Sequence, residues 1–329
     1  MTAAGKPEVL QLQEVPAPQI EKDTEVLVRL HAAGVNPIDT KLRGRGTFYP
    51  DQMPAILGCD GAGVVEAVGS AVKKFQVGDE VYFFAGGLGK SGTGNYAELT
   101  VVEQHWLAPK PASLSFAEAA AAPLVLITAW EALYDRGRLE PGQKVLIHAG
   151  AGGVGHIAIQ LAKLRGAQVC TTVSTQEKAR LVRQLGADYP ILYKQTDFAE
   201  AALNWTDGKG VDLAFDTVGG KNFFDTCPAV KVYGDIVTIL EPDSAQGNLK
   251  TARKRNLRLS LELMLTPTLQ GLVAAQQHQS NILKQCASLI DEGKLSIHLG
   301  QTFHLKDAAA AHQMLETGST TGKIALLIE

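Results

Sequence analysis

The chain has 329 residues, 45% hydrophobic and 20% charged, with a formal net charge of -3. That length predicts two domains rather than one, and the composition is that of an ordinary globular chain. So small a charge gives no electrostatic basis for binding nucleic acid or an anionic membrane.

Cys59, Cys170, Cys227 and Cys286 are far apart and form no Cys-x-x-Cys pair, which excludes a disulfide framework and a structural zinc knuckle. The amino end lacks a basic region followed by an apolar core, so no secretory signal is expected. The longest apolar stretch, Ala117 to Trp130, contains Glu118 and Pro123 and is too short to cross a bilayer. A reducing cytoplasm fits these features, with no membrane and no nucleic acid among the expected partners.

The first 120 or so residues alternate strand patterns with turns. Glu25 to Ala33 reads as a strand, Ile56 to Gly69 as a strand punctuated by glycine, and Val77-Gly-Asp-Glu80 as a turn into Val81-Tyr-Phe-Phe84. Short strands with regular turns predict a small barrel. A helical run, Phe116 to Asp135, follows and is interrupted at Pro123. From Val145 onward strands and helices alternate: strands at Val145–Ala149, Gln168–Val173, Tyr189–Tyr193, Val211–Asp216 and Asp235–Leu240, helices at Ile157–Arg165 and Gln176–Leu185. That alternation predicts an α/β unit with a parallel sheet. Leu257 to Leu263 alternates apolar and polar residues and supplies a sixth strand. The tail gives helices at Leu283–Ile290 and Lys306–Glu316, and strands at His298–Phe303 and Lys323–Ile328.

The sharpest motif is Gly150-x-Gly152-x-x-Gly155, entered from the apolar strand and followed at once by a helical pattern. In that context it is a dinucleotide-binding turn. Gly150 serves the tight turn, Gly152 the approach of a pyrophosphate, and Gly155 close helix–strand packing. Gly153 and Val154 complete the turn, and Leu240 at the end of its strand joins the candidate cofactor-binding set. An NAD site usually has an acid about twenty residues past the glycines. Here the second strand ends in Ser174-Thr175-Gln176, and Lys178, Arg180 and Arg183 follow Glu177. A hydroxyl and an ammonium suit a 2′-phosphate, which a carboxylate would repel. Ser174 and Lys178 therefore point to NADPH, and the arginines read as the wet face of a helix.

This order of parts resembles the medium-chain dehydrogenase/reductase superfamily. Within it the chain is most similar to the zinc-free quinone oxidoreductase branch. The residues that carry the resemblance are Ala33-Gly-Val-Asn-Pro-Ile-Asp39, Leu57-Gly-Cys-Asp-Gly-Ala-Gly-Val-Val65, Ile127-Thr-Ala-Trp130 and Gly152-Gly-Val-Gly155. The resemblance implies a doubly wound Rossmann domain over residues 123–267, inserted into a GroES-like β-barrel catalytic domain formed by 1–122 and 268–329. It also places the family's first strand ahead of Met1, so the amino end reads as clipped. A zinc alcohol dehydrogenase would carry Cys at Asn36, His at Cys59 and Cys near Pro123 or Leu124. Catalytic zinc needs three protein ligands, so no metal is expected. Without a Lewis acid the implied substrate is already electrophilic, a quinone or an activated enone.

For the site, the resemblance implies that Asn36 bonds the ribose or the acceptor carbonyl, Thr128 lies beside the nicotinamide, Tyr49 lines the substrate cleft and Tyr193 joins Lys178 at the 2′-phosphate. Lys41 stands where relatives often have an aromatic residue, and Lys41 or Tyr49 is a candidate proton donor. Asp39 either anchors its loop or serves the chemistry. Cys59 reads as a packing residue first and a redox-sensitive thiol second. An expected arginine near Gly318 is missing, and Lys323 is the nearest cation to replace it. His31, His105, His148 and His156 read as structural, and Trp106 and Trp130 as packing residues. The strand Leu257–Leu263 implies a homodimer with a continuous sheet, since an exposed apolar edge is otherwise an aggregation hazard. Three functions remain open: NADPH:quinone oxidoreductase, NADPH-dependent reductase of enals or enones, and a non-catalytic NADPH-binding redox sensor.

Overall fold

The computed structural model describes residues 1–328. The chain divides into two units, Met1–Leu124 with Leu265–Glu329, and Val125–Met264. Its strands are β1 (Glu25–Val35), β2 (Asp60–Val68), β3 (Glu80–Phe84), β4 (Leu99–Glu103), β5 (Leu107–Pro109), β6 (Lys144–Ile147), β7 (Gln168–Val173), β8 (Tyr189–Leu192), β9 (Val211–Asp216), β10 (Val230–Thr238), β11 (Arg258–Leu261), β12 (Leu299–His304) and β13 (Lys323–Leu327).

In the first unit β1 organises the barrel by changing partners along its length. One edge pairs with β2 from Val26 to Gly34. The other pairs with β4 over Glu25–Arg29 and with the carboxyl-terminal β13 over Ala32–Val35. Register shifts after Leu27 and Leu30 bend the strand, as bulges do in closed sheets. Val26, Val28, Leu30, Val65, Phe83, Ile324 and Leu326 fill the interior. Truncating a buried leucine such as Leu326 costs about 2–5 kcal/mol, so the last strand is part of the core.

Helix α1 (Pro37–Arg45) follows β1 directly. Asn36 is extended, Pro37 has the φ a first helical turn needs, and the Asp39 carboxylate accepts the Asn36 N–H at 2.8 Å. Asp39 thus anchors its loop, the structural member of the two expectations. Gly46, at φ 102°, ends the helix in a conformation suited to glycine. Further on, α2 (Phe116–Ala120) and α3 (Pro123–Trp130) replace the single expected run, and Pro123 starts the second helix.

The second unit is a six-stranded parallel sheet in the order β11-β10-β9-β6-β7-β8. This is the doubly wound order, with its switch point between β6 and β9, where open α/β sheets bind ligands. Helix α4 (Gly155–Leu164) is buried nearly all round, whereas α5 (Gln176–Gln184) buries only Ala179 and Val182. The sixth strand is shorter than expected. Leu261 is 65% and Leu263 53% exposed, while Glu262 turns inward to pair with Arg136. The alternation is real, but its apolar side faces out.

Candidate functional site

The glycine turn sits at the carboxyl end of β6. Ala149 takes the left-handed conformation, φ 50°, while the glycines serve space instead. A Cβ on Gly150 would collide with Thr171 Oγ1 and stand 3.0 Å from Ile159 Cδ1. One on Gly155 would drive into the Ala149 carbonyl and come 2.8 Å from Gly150 Cα. Gly152 differs: its nearest neighbour would be Ala149 O at 3.1 Å, with the remaining space open. The tight-turn role expected of Gly150 therefore falls to Ala149, held by hydrogen bonds from Ala149 N to Thr172 Oγ1 and from Gly150 N to Thr172 O, each 3.0 Å. Among the described residues, the N–H groups of Gly153, Val154 and Gly155 have no acceptor. Unpartnered N–H groups at a helix N-terminus suit an anion, and the open face of Gly152 lets its charge approach the backbone. The turn fits a dinucleotide pyrophosphate.

Ser174, Lys178 and Tyr193 come to one corner of this sheet. Ser174 follows β7, Thr175 caps α5 by accepting Lys178 N at 3.2 Å, and Tyr193 N donates to Val173 O at 3.2 Å. Ser174 and Lys178 are partly exposed, and Tyr193, Arg180 and Arg183 are exposed.

Sequence reasoning missed the polar core beneath the turn. His148 is buried, with Nδ1 3.2 Å from Thr172 Oγ1 and Nε2 2.9 Å from Thr226 Oγ1. Burial pushes it down to about 4, so the imidazole is neutral, as a structural role requires. Buried Asp216 accepts from Val218 N, Gly219 N, Asn222 Nδ2 and Thr238 Oγ1 at 2.9–3.1 Å. It thereby fixes the loop after β9. Leu240 packs against Gly219, whose Cβ would come 2.7 Å from its own. The threonines carry a β-branched strand signal that hides these hydrogen bonds.

In the first unit Asn36 is the centre of a buried polar cluster. Its Nδ2 donates to Asp60 Oδ2 at 2.8 Å, and its Oδ1 accepts from Lys323 Nζ, which also donates to Val35 O at 3.0 Å. Asp60 Oδ1 accepts Leu124 N at 3.0 Å. Asp39 accepts from Cys59 Sγ at 3.6 Å and Tyr96 hydroxyl at 3.3 Å, and that hydroxyl lies 3.1 Å from His312 Nε2. Burial raises Asp39 to about 6 and Asp60 to about 7, partly offset by the Lys323 charge. Burial and the two carboxylates push the Cys59 thiol well above its ordinary value, which makes it an inert, packed thiol. Lys323, expected to stand in for a missing surface arginine, is instead enclosed, 4% exposed.

These residues do not fit zinc. The Asn36 amide is committed to Asp60 and Lys323, the Cys59 thiol is held protonated, and a fixed ammonium already stands in the cluster. No group of three or more His, Cys, Asp or Glu among the described residues is arranged to hold a metal ion. Of the other expected site residues, Lys41 is exposed without a partner, and Tyr49 is partly exposed with no hydrogen bond to its hydroxyl. Thr128, in the second unit, is buried on α3.

The alcohol dehydrogenase GroES-like domain family matches residues 22–112, and the zinc-binding dehydrogenase family matches residues 185–326. A quinone oxidoreductase of Pseudomonas aeruginosa is 37% identical over 326 residues, which are 99% of this chain and 97% of that protein. Among solved structures, an alcohol dehydrogenase superfamily protein from Novosphingobium aromaticivorans matches with a TM-score of 0.90 at 36% identity, covering 99% of this chain and 98% of the other. The Escherichia coli quinone oxidoreductase complexed with NADPH matches with a TM-score of 0.85 at 32% identity, covering 99% and 98%. Similarity of this extent, from end to end, places the chain in the zinc-free quinone oxidoreductase branch of the medium-chain dehydrogenase/reductase superfamily.

Proposed function

We propose that this protein is an NADPH:quinone oxidoreductase, with the doubly wound unit holding the cofactor and the barrel unit serving as the catalytic domain. The observation that carries the reading is the corner formed by Ser174, Lys178 and Tyr193, which has a hydroxyl and an ammonium where an NAD site would have a carboxylate. Bound NADPH would supply a hydride from C4 of its nicotinamide, and the acceptor would take that hydride and one proton to become a hydroquinone.

The chain's own residues orient and bind. The N–H groups of Gly153, Val154 and Gly155 hold the pyrophosphate, and Gly152 admits it. Lys178 and Ser174 bind the 2′-phosphate beside Tyr193, and Leu240 borders the cofactor. Thr128 fixes the nicotinamide. Asn36 has one Nδ2 hydrogen uncommitted, and that hydrogen bonds the acceptor carbonyl or the ribose. Tyr49 lines the substrate cleft, and its hydroxyl or the Lys41 ammonium supplies the proton.

Steady-state oxidation of NADPH with 1,4-naphthoquinone and with a short enone tests the reading. The quinone should give the larger kcat/KM. A larger value for the enone would assign double-bond reduction instead, and NADPH binding without turnover of either would assign a sensor.

Four buried, unpaired cysteines suit a reducing compartment such as the cytoplasm. No helix among the described residues is long and apolar enough to cross a membrane. The exposed Leu259, Leu261 and Leu263 on the sheet edge support a homodimer that pairs β11 across a two-fold axis. Leu261→Asp should convert a dimer to a monomer in sedimentation velocity, and a monomeric parent protein would refute the pairing.

A further inference from the structure

Asn and Gln amides have two ends of nearly the same shape, so their neighbours decide which end faces which way. At Asn36 both neighbours are charged residues. An ammonium can only donate and an ionised carboxylate can only accept. Lys323 must therefore face Oδ1 and Asp60 must face Nδ2, as they do. The main chain of Asn36 is held too, since its N–H is bound to Asp39 Oδ2 at 2.8 Å. Turning the amide over would set an ammonium against an NH2 group and a carboxylate against a carbonyl oxygen. In a fully buried cluster nothing else would satisfy either charge. The direction of the remaining Nδ2 hydrogen is thus fixed before any ligand arrives. The pull of the ammonium on Oδ1 also makes that hydrogen a stronger donor.

We propose that Lys323 is a positioning residue for the reduction: its ammonium, paired through Asn36 with Asp60, locks the amide so that its free Nδ2 hydrogen meets the acceptor. This rests on the role of Asn36 given above. Lys323 also donates to Val35 O, so it clasps β13 to β1, and a purely structural role has to be told apart from a positioning one. The buried charge is costly for a clasp alone, because a methionine of similar volume would pack the same space without desolvating an ion.

The test uses the full chain with NADPH and 1,4-naphthoquinone. Lys323→Met should lower kcat by about tenfold or more while the Kd for NADPH stays within about twofold. Asn36→Ala should lower kcat by a similar factor. The double variant should be no slower than the slower single one, because Lys323 acts through Asn36. Lys323→Arg, which restores a cation with donors, should recover most of the loss. If Lys323→Met does not fold, Lys323→Met with Asp60→Asn removes both charges together and should be as slow as Asn36→Ala. An Asn36→Ala variant as fast as the parent would overturn the role of Asn36 and this inference with it. A slow Asn36→Ala beside a fast Lys323→Met, or losses that multiply in the double variant, would overturn the role of Lys323 alone.

Discussion

Alanine at Gly152 and alanine at Gly155 should have opposite effects, although the two residues are three apart in one turn. At Gly155 the new methyl meets backbone: the Ala149 carbonyl, and Gly150 Cα at 2.8 Å. Neither is the far end of a flexible side chain, so α4 must move away from the turn. Overpacking of this kind costs about 1–3 kcal/mol, and contact with main chain puts the value near the upper end. For a unit of this size, about 3 kcal/mol lowers Tm by roughly 10 °C. At Gly152 the methyl meets Ala149 O at 3.1 Å and otherwise open space. A shift of a few tenths of an ångström relieves that contact. Fewer unfolded conformations offset its cost by about 0.4–1 kcal/mol, so Tm should hardly change. That methyl, however, stands where the pyrophosphate comes closest to the backbone, and NADPH affinity should fall by more than about tenfold, or about 1.4 kcal/mol. Thermal unfolding and fluorescence titration with NADPH measure the two quantities separately. A Gly155→Ala variant as stable as the parent, or a Gly152→Ala variant that binds NADPH as tightly, would refute the reasoning.

Lys178→Ala should weaken NADPH by about 1–3 kcal/mol, the range for a charged hydrogen bond, and leave NADH nearly unchanged. Equal losses for both would remove the 2′-phosphate from this corner. His148 makes a pH prediction. Burial lowers it from 6.5 to about 4, so between those values the unfolded chain binds a proton that the folded protein refuses, and stability falls as pH falls through that window. The cost of His148→Gln in urea unfolding should therefore be smaller at pH 5 than at pH 7. A cost independent of pH would mean that the folded imidazole titrates normally.

What could be read from the sequence was what is close in sequence. The glycine turn spans six residues between a strand and a helix, and all three glycines do sit where a side chain would obstruct packing or approach. Even there one detail moved: the left-handed residue is Ala149, and nothing in an alanine marks it for that conformation. The parallel strands were legible because each is an apolar run between helical patterns. The edge strand was legible as a strand, but its direction was not. Alternation fixes which residues share a face and leaves open whether that face meets the core, and here Glu262 points in while Leu261 and Leu263 point out. The cluster around Asn36 could not be read, since Lys323 lies 287 residues away and His312 lies 216 from Tyr96. Lys323 looked like a surface charge because lysine nearly always is one. Only the return of β13 to β1 places it beside Asn36.

A single-turnover experiment addresses the central claim most directly. The protein is loaded with NADPH carrying deuterium at C4 and mixed with 1,4-naphthoquinone, and absorbance at 340 nm is followed. The expected result is stoichiometric loss of the reduced nicotinamide, slower for the deuterated cofactor. Loss of the signal at the same rate with and without quinone, or no loss at all, would contradict it.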